Sequence, residues 1–93
     1  QDLDRAADKG RVEARYWQAR ILLAEQSPLH DARQGLRVLM QAADKGHAHA
    51  ALMLGNKLAK GEDTRRDVRA ARRYLQQAAG KGLTEANEAL QKL

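Results

Sequence analysis

The chain has no cysteine and no phenylalanine, a single proline and only three aromatic residues, Tyr16, Trp17 and Tyr74. Each shortage excludes something. Without cysteine, neither a disulfide framework nor a cysteine-based metal site can stiffen the fold. Valine is scarce and isoleucine occurs once, at Ile21, so a sheet would lack its favoured residues. Three aromatics give little on which to stack the bases of a single strand. No apolar run approaches the roughly 20 residues that span a bilayer. No basic start leads into an apolar stretch, as it would in a signal peptide. Ser27 is the only serine and has no base in pattern with it, and no phosphate-cradling glycine loop is present. By the usual criteria for a catalytic site, we expect no enzyme, no cofactor and no small-molecule substrate.

Alanine, leucine, arginine, lysine, glutamine and glutamate dominate, and these are the strong helix formers. The 93 residues make one small unit with a thin core. The net charge of +5 favours acidic partners, with nucleic acid as one candidate. No helix-turn-helix or zinc-finger signature supports that candidate, so an acidic protein surface is preferred.

One short phrase recurs: AADKG at 6–10, AADKG at 42–46 and AAGKG at 78–82. The repeat is wider than five letters. Leu3, Leu39 and Leu75 share a phase, as do Ala14, Ala50 and Ala86. Tyr16 corresponds to Leu52, Leu22 to Leu58, and Asp31 to Asp67. A fixed spacing over three copies marks stacked structural units. Each unit is expected to be a pair of helices. Helix A of the middle unit runs from about Ala48 to Lys60 and stops at Gly61. Helix B follows Asp67 as N-cap and runs to about Ala79, with Val68, Ala71, Leu75 and Ala78 on one stripe. In the first unit, helix A covers about Val12 to Glu25 and helix B Ala32 to Asp44, with Asp31 as cap. The tail of an earlier helix B (about Asp2 to Lys9) and a last helix A (about Glu85 to Lys92) bring the total to six. The repeated phrase is then a joint: alanines allow close approach and glycine lets the chain reverse.

The stretch GHAHAALMLGNKLAKG at 46–61 resembles the first helix of a Sel-one-like repeat, through Gly46, His47, Ala48, Ala50, Leu54, Gly55, Leu58 and Gly61. DVRAARRYLQQAAGKG at 67–82 resembles its second helix, through Asp67, Ala71, Tyr74, Ala78, Ala79 and Gly82. Tetratricopeptide repeats are near relatives with a slightly shorter unit. Departures occur in the interhelical turns, and at Gln18–Ala19 and Leu90–Gln91, where the family has Leu-Gly. The resemblance implies an all-α, right-handed superhelical solenoid of antiparallel helix pairs, about two and a half 36-residue repeats. The division would be 1–10 (end of a preceding repeat), 11–46, 47–82 and 83–93 (terminal helix). It further implies a non-catalytic scaffold or adaptor with a concave face, and weakly a bacterial periplasmic or envelope setting.

Three groups of residues are candidates for function. His47 and His49 lie two apart near a helix start and diverge, and His30 is alone in a turn, so no metal is expected. Arg65, Arg66, Arg69, Arg72 and Arg73 would form a basic band on the outer face of helix B, joined by Arg33 and Arg37 one unit earlier. The plain account of that band is a solvated helix face; the functional one is an anionic polymer, either acidic polysaccharide or nucleic acid. Trp17 aligns with Met53, and it either lines the concave side or packs on the earlier helix B. The expected partner-binding set is Trp17, Arg20, Met53, Asn56 and Lys57, at helix A positions that packing does not claim. Trp17 and Met53 would supply apolar contact, Arg20 and Lys57 charge. An apolar stripe at Leu3 and Ala6 would allow self-association through the solenoid ends.

Overall fold

Among the described residues this alanine-rich, β-branch-poor sequence forms helices joined by short turns, with no strand. The structure is a computed structural model that describes residues 2–24, 26 and 31–93, with side chains from residue 10 onward. Five helices follow one another: α1 (Asp2–Leu23), α2 (Ala32–Asp44), α3 (Ala48–Lys60), α4 (Val68–Gly80) and α5 (Thr84–Gln91). Each packs antiparallel on its neighbours in sequence, most extensively within the pairs α1–α2 and α3–α4. The expected bounds of α2, α3 and α4 hold to within a residue. The turn at Ser27–His30 and the apolar stripe at Leu3 and Ala6 lie outside the described residues and side chains.

The 36-residue period is written into the hydrogen bonds. Asp31 and Asp67 are extended residues whose carboxylates accept from the N–H groups of Gln34 and Ala70, capping α2 and α4. Each such cap is worth about 1 kcal/mol. The N–H of each cap residue donates back into the preceding odd helix, Asp31 to the Leu22 carbonyl and Asp67 to that of Leu58. At the other end of α2, Gly46 donates to Ala43 and His47 to Ala42; beyond α4, Gly82 donates to Ala79 and Leu83 to Ala78. With Gly46 at φ +95° and Gly82 at φ +96°, both are Schellman turns, which need a residue without a side chain at that place. Two of the three copies of the repeated phrase are therefore joints.

The third is not. Residues 2–23 are one continuous helix, so the described residues form five helices where six were expected, and Gly10 sits inside α1 without a left-handed φ. A Schellman turn orphans fewer carbonyls but must be rewarded by packing of the next helix on the last. α3 and α5 each fold back onto such a helix, whereas α1 runs straight through its copy of the phrase. Continuing the helix through glycine costs only about 1 kcal/mol.

Leu39, Leu54 and Leu75 are fully enclosed, among buried alanines at 19, 42, 43, 50, 51, 71 and 78. Within each hairpin one glycine and one alanine occupy equivalent crossing positions, with the roles exchanged. Ala19 on α1 goes with Gly35 on α2, and Gly55 on α3 with Ala71 on α4. A methyl group on Gly55 would lie 2.7 Å from Leu75 Cγ and 3.2 Å from the Ala71 carbonyl oxygen; one on Gly35 would lie 2.7 Å from Leu23 Cγ. The second hairpin packs on the first through α2 and α3, and α4 adds two bonds: Gln77 donates to the Ala43 carbonyl at 2.5 Å and Tyr74 to Asp44 at 3.2 Å. Burial, and after it the Asp44 carboxylate, push the Tyr74 phenol above its ordinary value. On the side where α3 buries Ala51 and Leu54, α1 carries exposed Arg15 and Gln18 at the same phase.

Two glycines then behave oppositely on substitution. Gly55→Ala should destabilise by about 1–3 kcal/mol through overpacking, less whatever the better helix propensity returns. Gly10→Ala should stabilise by up to about 1 kcal/mol, since nothing lies within 4 Å of the added methyl and the backbone is already helical. Urea unfolding of both variants checks this, and destabilisation by Gly10→Ala would place a turn at residue 10.

Candidate functional site

α1, α3 and α5 run in the same direction, and two cavities open between them in succession. The first, of about 390 Å³, lies between α1 and α3. Its apolar lining comes from Tyr16, Leu23, Leu52 and Met53, and its polar lining includes Arg20, His49, Asn56 and Lys57. The second, of about 350 Å³, lies between α3 and α5 and is mostly polar, with Lys60, Glu85, Glu88 and Lys92. Asn56 borders both, so the two form one furrow along the odd-numbered helices.

Four of the five residues expected to meet a partner line the first cavity: Arg20, Met53, Asn56 and Lys57. Trp17 stands beside it, 51% exposed. Its indole N–H donates to Glu13 at 3.1 Å, its ring meets Tyr16 edge to face at 5.6 Å, and the Arg20 guanidinium lies 4.7 Å from its centroid. Tyr16 is 8% exposed and sits in the core, with Arg20 5.7 Å above its ring.

Lys57 differs from its expected role. Its side chain is largely covered, and it binds Asp63 at 2.8 Å and Glu62 at 3.4 Å. Burial pulls its pKa down, but the bond to Asp63 and the charges of Asp63 and Glu62 prevail and hold it above the ordinary lysine value. The turn after α3 makes this pairing. Gly61 ends the helix at φ 71°, and Asp63 adopts φ 62°, which aspartate tolerates better than most residues. The charge of Lys57 is thus matched from within.

His47 is likewise engaged. Its Nδ1 accepts from the Ala50 N–H at 3.0 Å and caps α3, while its Nε2 meets Glu13 at 2.6 Å. The ring stacks on Tyr16 with centroids 4.4 Å apart. The hydrogen bond to His47 holds the Glu13 carboxyl below its usual value against the opposing effect of desolvation, and the histidine charges and the indole N–H also lower it. His49 lies 6.1 Å from His47, ring centre to ring centre. Among the described residues no group of three His, Asp or Glu side chains gathers that could hold a metal ion.

Tyr16, His49, Leu23, Leu52 and Glu62 were not anticipated as lining residues. The Tyr16–Leu52 correspondence was visible in the repeat, but it pointed to core rather than to a cavity wall. The Glu13–His47 bridge joins positions in different units and leaves no local signal. Arg65, Arg66, Arg69, Arg72 and Arg73 are all exposed; Arg66 borders the second cavity, and the other four line neither cavity. Arg66 donates to the Ala59 carbonyl at 3.1 Å and Arg73 lies over Tyr74 at 5.3 Å. Among the described residues none of the five pairs with a carboxylate.

No protein-family model, curated protein or solved structure matches the chain.

Trp17 and Tyr16 are adjacent in sequence yet should differ sharply in stability. Trp17→Ala should cost about 1 kcal/mol or less, the scale of an exposed cation–π contact. Tyr16→Ala should cost about 3 kcal/mol or more as a buried aromatic. Thermal melts of the two variants decide it; equal losses would mean that Trp17 is core.

Proposed function

We propose that the protein is a non-catalytic interaction module that holds a peptide or protein segment in the furrow between α1, α3 and α5. The observation that carries this is the convergence of Arg20, Met53, Asn56 and Lys57 on one cavity beside an exposed Trp17. Half-exposed tryptophan next to an apolar recess is the common form of an interface anchor. The volume is in the range of ordinary ligand pockets. In this reading the two hairpins are part of a right-handed superhelical solenoid of the Sel-one-like kind, and the furrow is its concave face. Support for that comes from the repeated caps, the two Schellman joints and the matching residues at 46–61 and 67–82. Scaffolding or adaptor work would follow, with an acidic protein as partner. Random-peptide selection on the immobilised protein tests the proposal. Selected peptides should lose about tenfold or more in affinity on Trp17→Ala or Met53→Asp, with folding intact. Binders that ignore both variants and protect amides of α2 and α4 instead would overturn it.

A second reading has its own observation, the exposed Arg69, Arg72 and Arg73, none of which pairs with a carboxylate among the described residues. An anionic polymer would lie along the outer face of α4. With duplex DNA as probe, the logarithm of affinity should fall with the logarithm of salt at a slope of roughly 0.9 per phosphate contacted. Replacing all three arginines with glutamine should abolish binding; unchanged affinity would remove this reading.

A further inference from the structure

We infer that the ligand of the furrow presents a carboxylate beside an apolar side chain, and that Arg20 is the residue that receives the carboxylate. The inference rests on the furrow reading above and narrows it to an acidic peptide. A census of nearby cations leads to it. His47 is engaged by Glu13, and Lys57 by Asp63 and Glu62. Arg15, on the exposed side of α1, donates to Gln41 at 2.5 Å. Arg20 alone among the arginine and lysine side chains of the first cavity has no carboxylate among the described residues.

Arg20 is also held ready. Its guanidinium lies over Trp17 at 4.7 Å and over Tyr16 at 5.7 Å. Among the described residues no hydrogen bond engages the Arg20 guanidinium, and its N–H fork matches a carboxylate in a two-pronged bond. The ring contacts therefore limit its conformational freedom before the ligand arrives, without a hydrogen-bond acceptor taking its donors. Directly beside it, Leu23, Leu52 and Met53 offer an apolar recess.

The repeat extends the pattern. Arg20, Asn56 and Lys92 are one period apart, on α1, on α3 and at the C-cap of α5. All three border the furrow, and all three are donors. Asn56, between the cavities, is placed to bond the peptide groups of an extended chain. At the α5 end Lys60, Arg66 and Lys92 share the cavity with Glu85 and Glu88. The acidic residue of the ligand is assigned to the α1 end, where Arg20 bonds no carboxylate among the described residues and lies next to the apolar recess.

The test uses N-acetylated, C-amidated hexapeptides containing one Leu and one Glu in every relative arrangement, and the same peptides with Gln for Glu. Binding to the full chain is measured by calorimetry and by the fluorescence of Trp17, the only tryptophan. At least one arrangement should bind about tenfold tighter with Glu than with Gln, as a charge-assisted two-pronged bond would give. Arg20→Gln should erase that preference and Lys57→Gln should leave it. Circular dichroism establishes that each variant is folded. Arg20→Lys keeps the charge but not the fork, and should lower the preference even if Arg20→Gln proves unstable. Equal binding of Glu and Gln peptides, still weakened by Met53→Asp, would overturn the carboxylate inference and leave the furrow reading standing. Absence of binding in every arrangement would overturn both.

Discussion

The close crossing of helices inside each hairpin is the contact on which the rest of the structure depends. At Gly55 the backbone of α3 lies against Leu75 and the Ala71 carbonyl, with no room for a methyl group. At Gly35 the backbone of α2 lies against Leu23 in the same way. A chain this short encloses few large side chains, so it gains by bringing backbones together rather than by filling the gap between them. Glycine sits on the even helix in one hairpin and on the odd helix in the other. What matters is thus the summed size of the pair, not which helix supplies the smaller residue.

Much of this was legible because the relevant signals are local. Asp31 and Asp67 announce helix starts through a side chain that reaches only three residues ahead. Gly46 and Gly82 announce reversals because few other residues take their φ. Gly10 carries the same letters and reverses nothing. Those letters permit a joint, and packing on the far side makes one. Composition could not supply that second condition, and α1 ran on.

The furrow was legible by elimination, from odd-helix positions that the core did not claim. Its electrostatics were not. The neutralisation of Lys57 depends on a turn in which Asp63 takes a left-handed conformation and comes back upon its own helix. The engagement of His47 depends on Glu13, a unit away. Counting arginines and lysines on a helix face gives the charge before internal pairing, whereas a ligand meets the charge that remains afterwards. Arg20 differs from Lys57 for that reason alone, though both were expected to act together.

His47 has one more consequence. A ring nitrogen that receives the Ala50 N–H carries no hydrogen of its own, so the proton of the neutral imidazole resides on the opposite nitrogen, where Glu13 waits. One flat side chain, clamped against Tyr16, thereby rivets the opening turn of α3 to the midsection of α1. Sliding either helix by a single residue would tear both fastenings at once, and the mouth of the channel keeps a gauge set by the breadth of an imidazole.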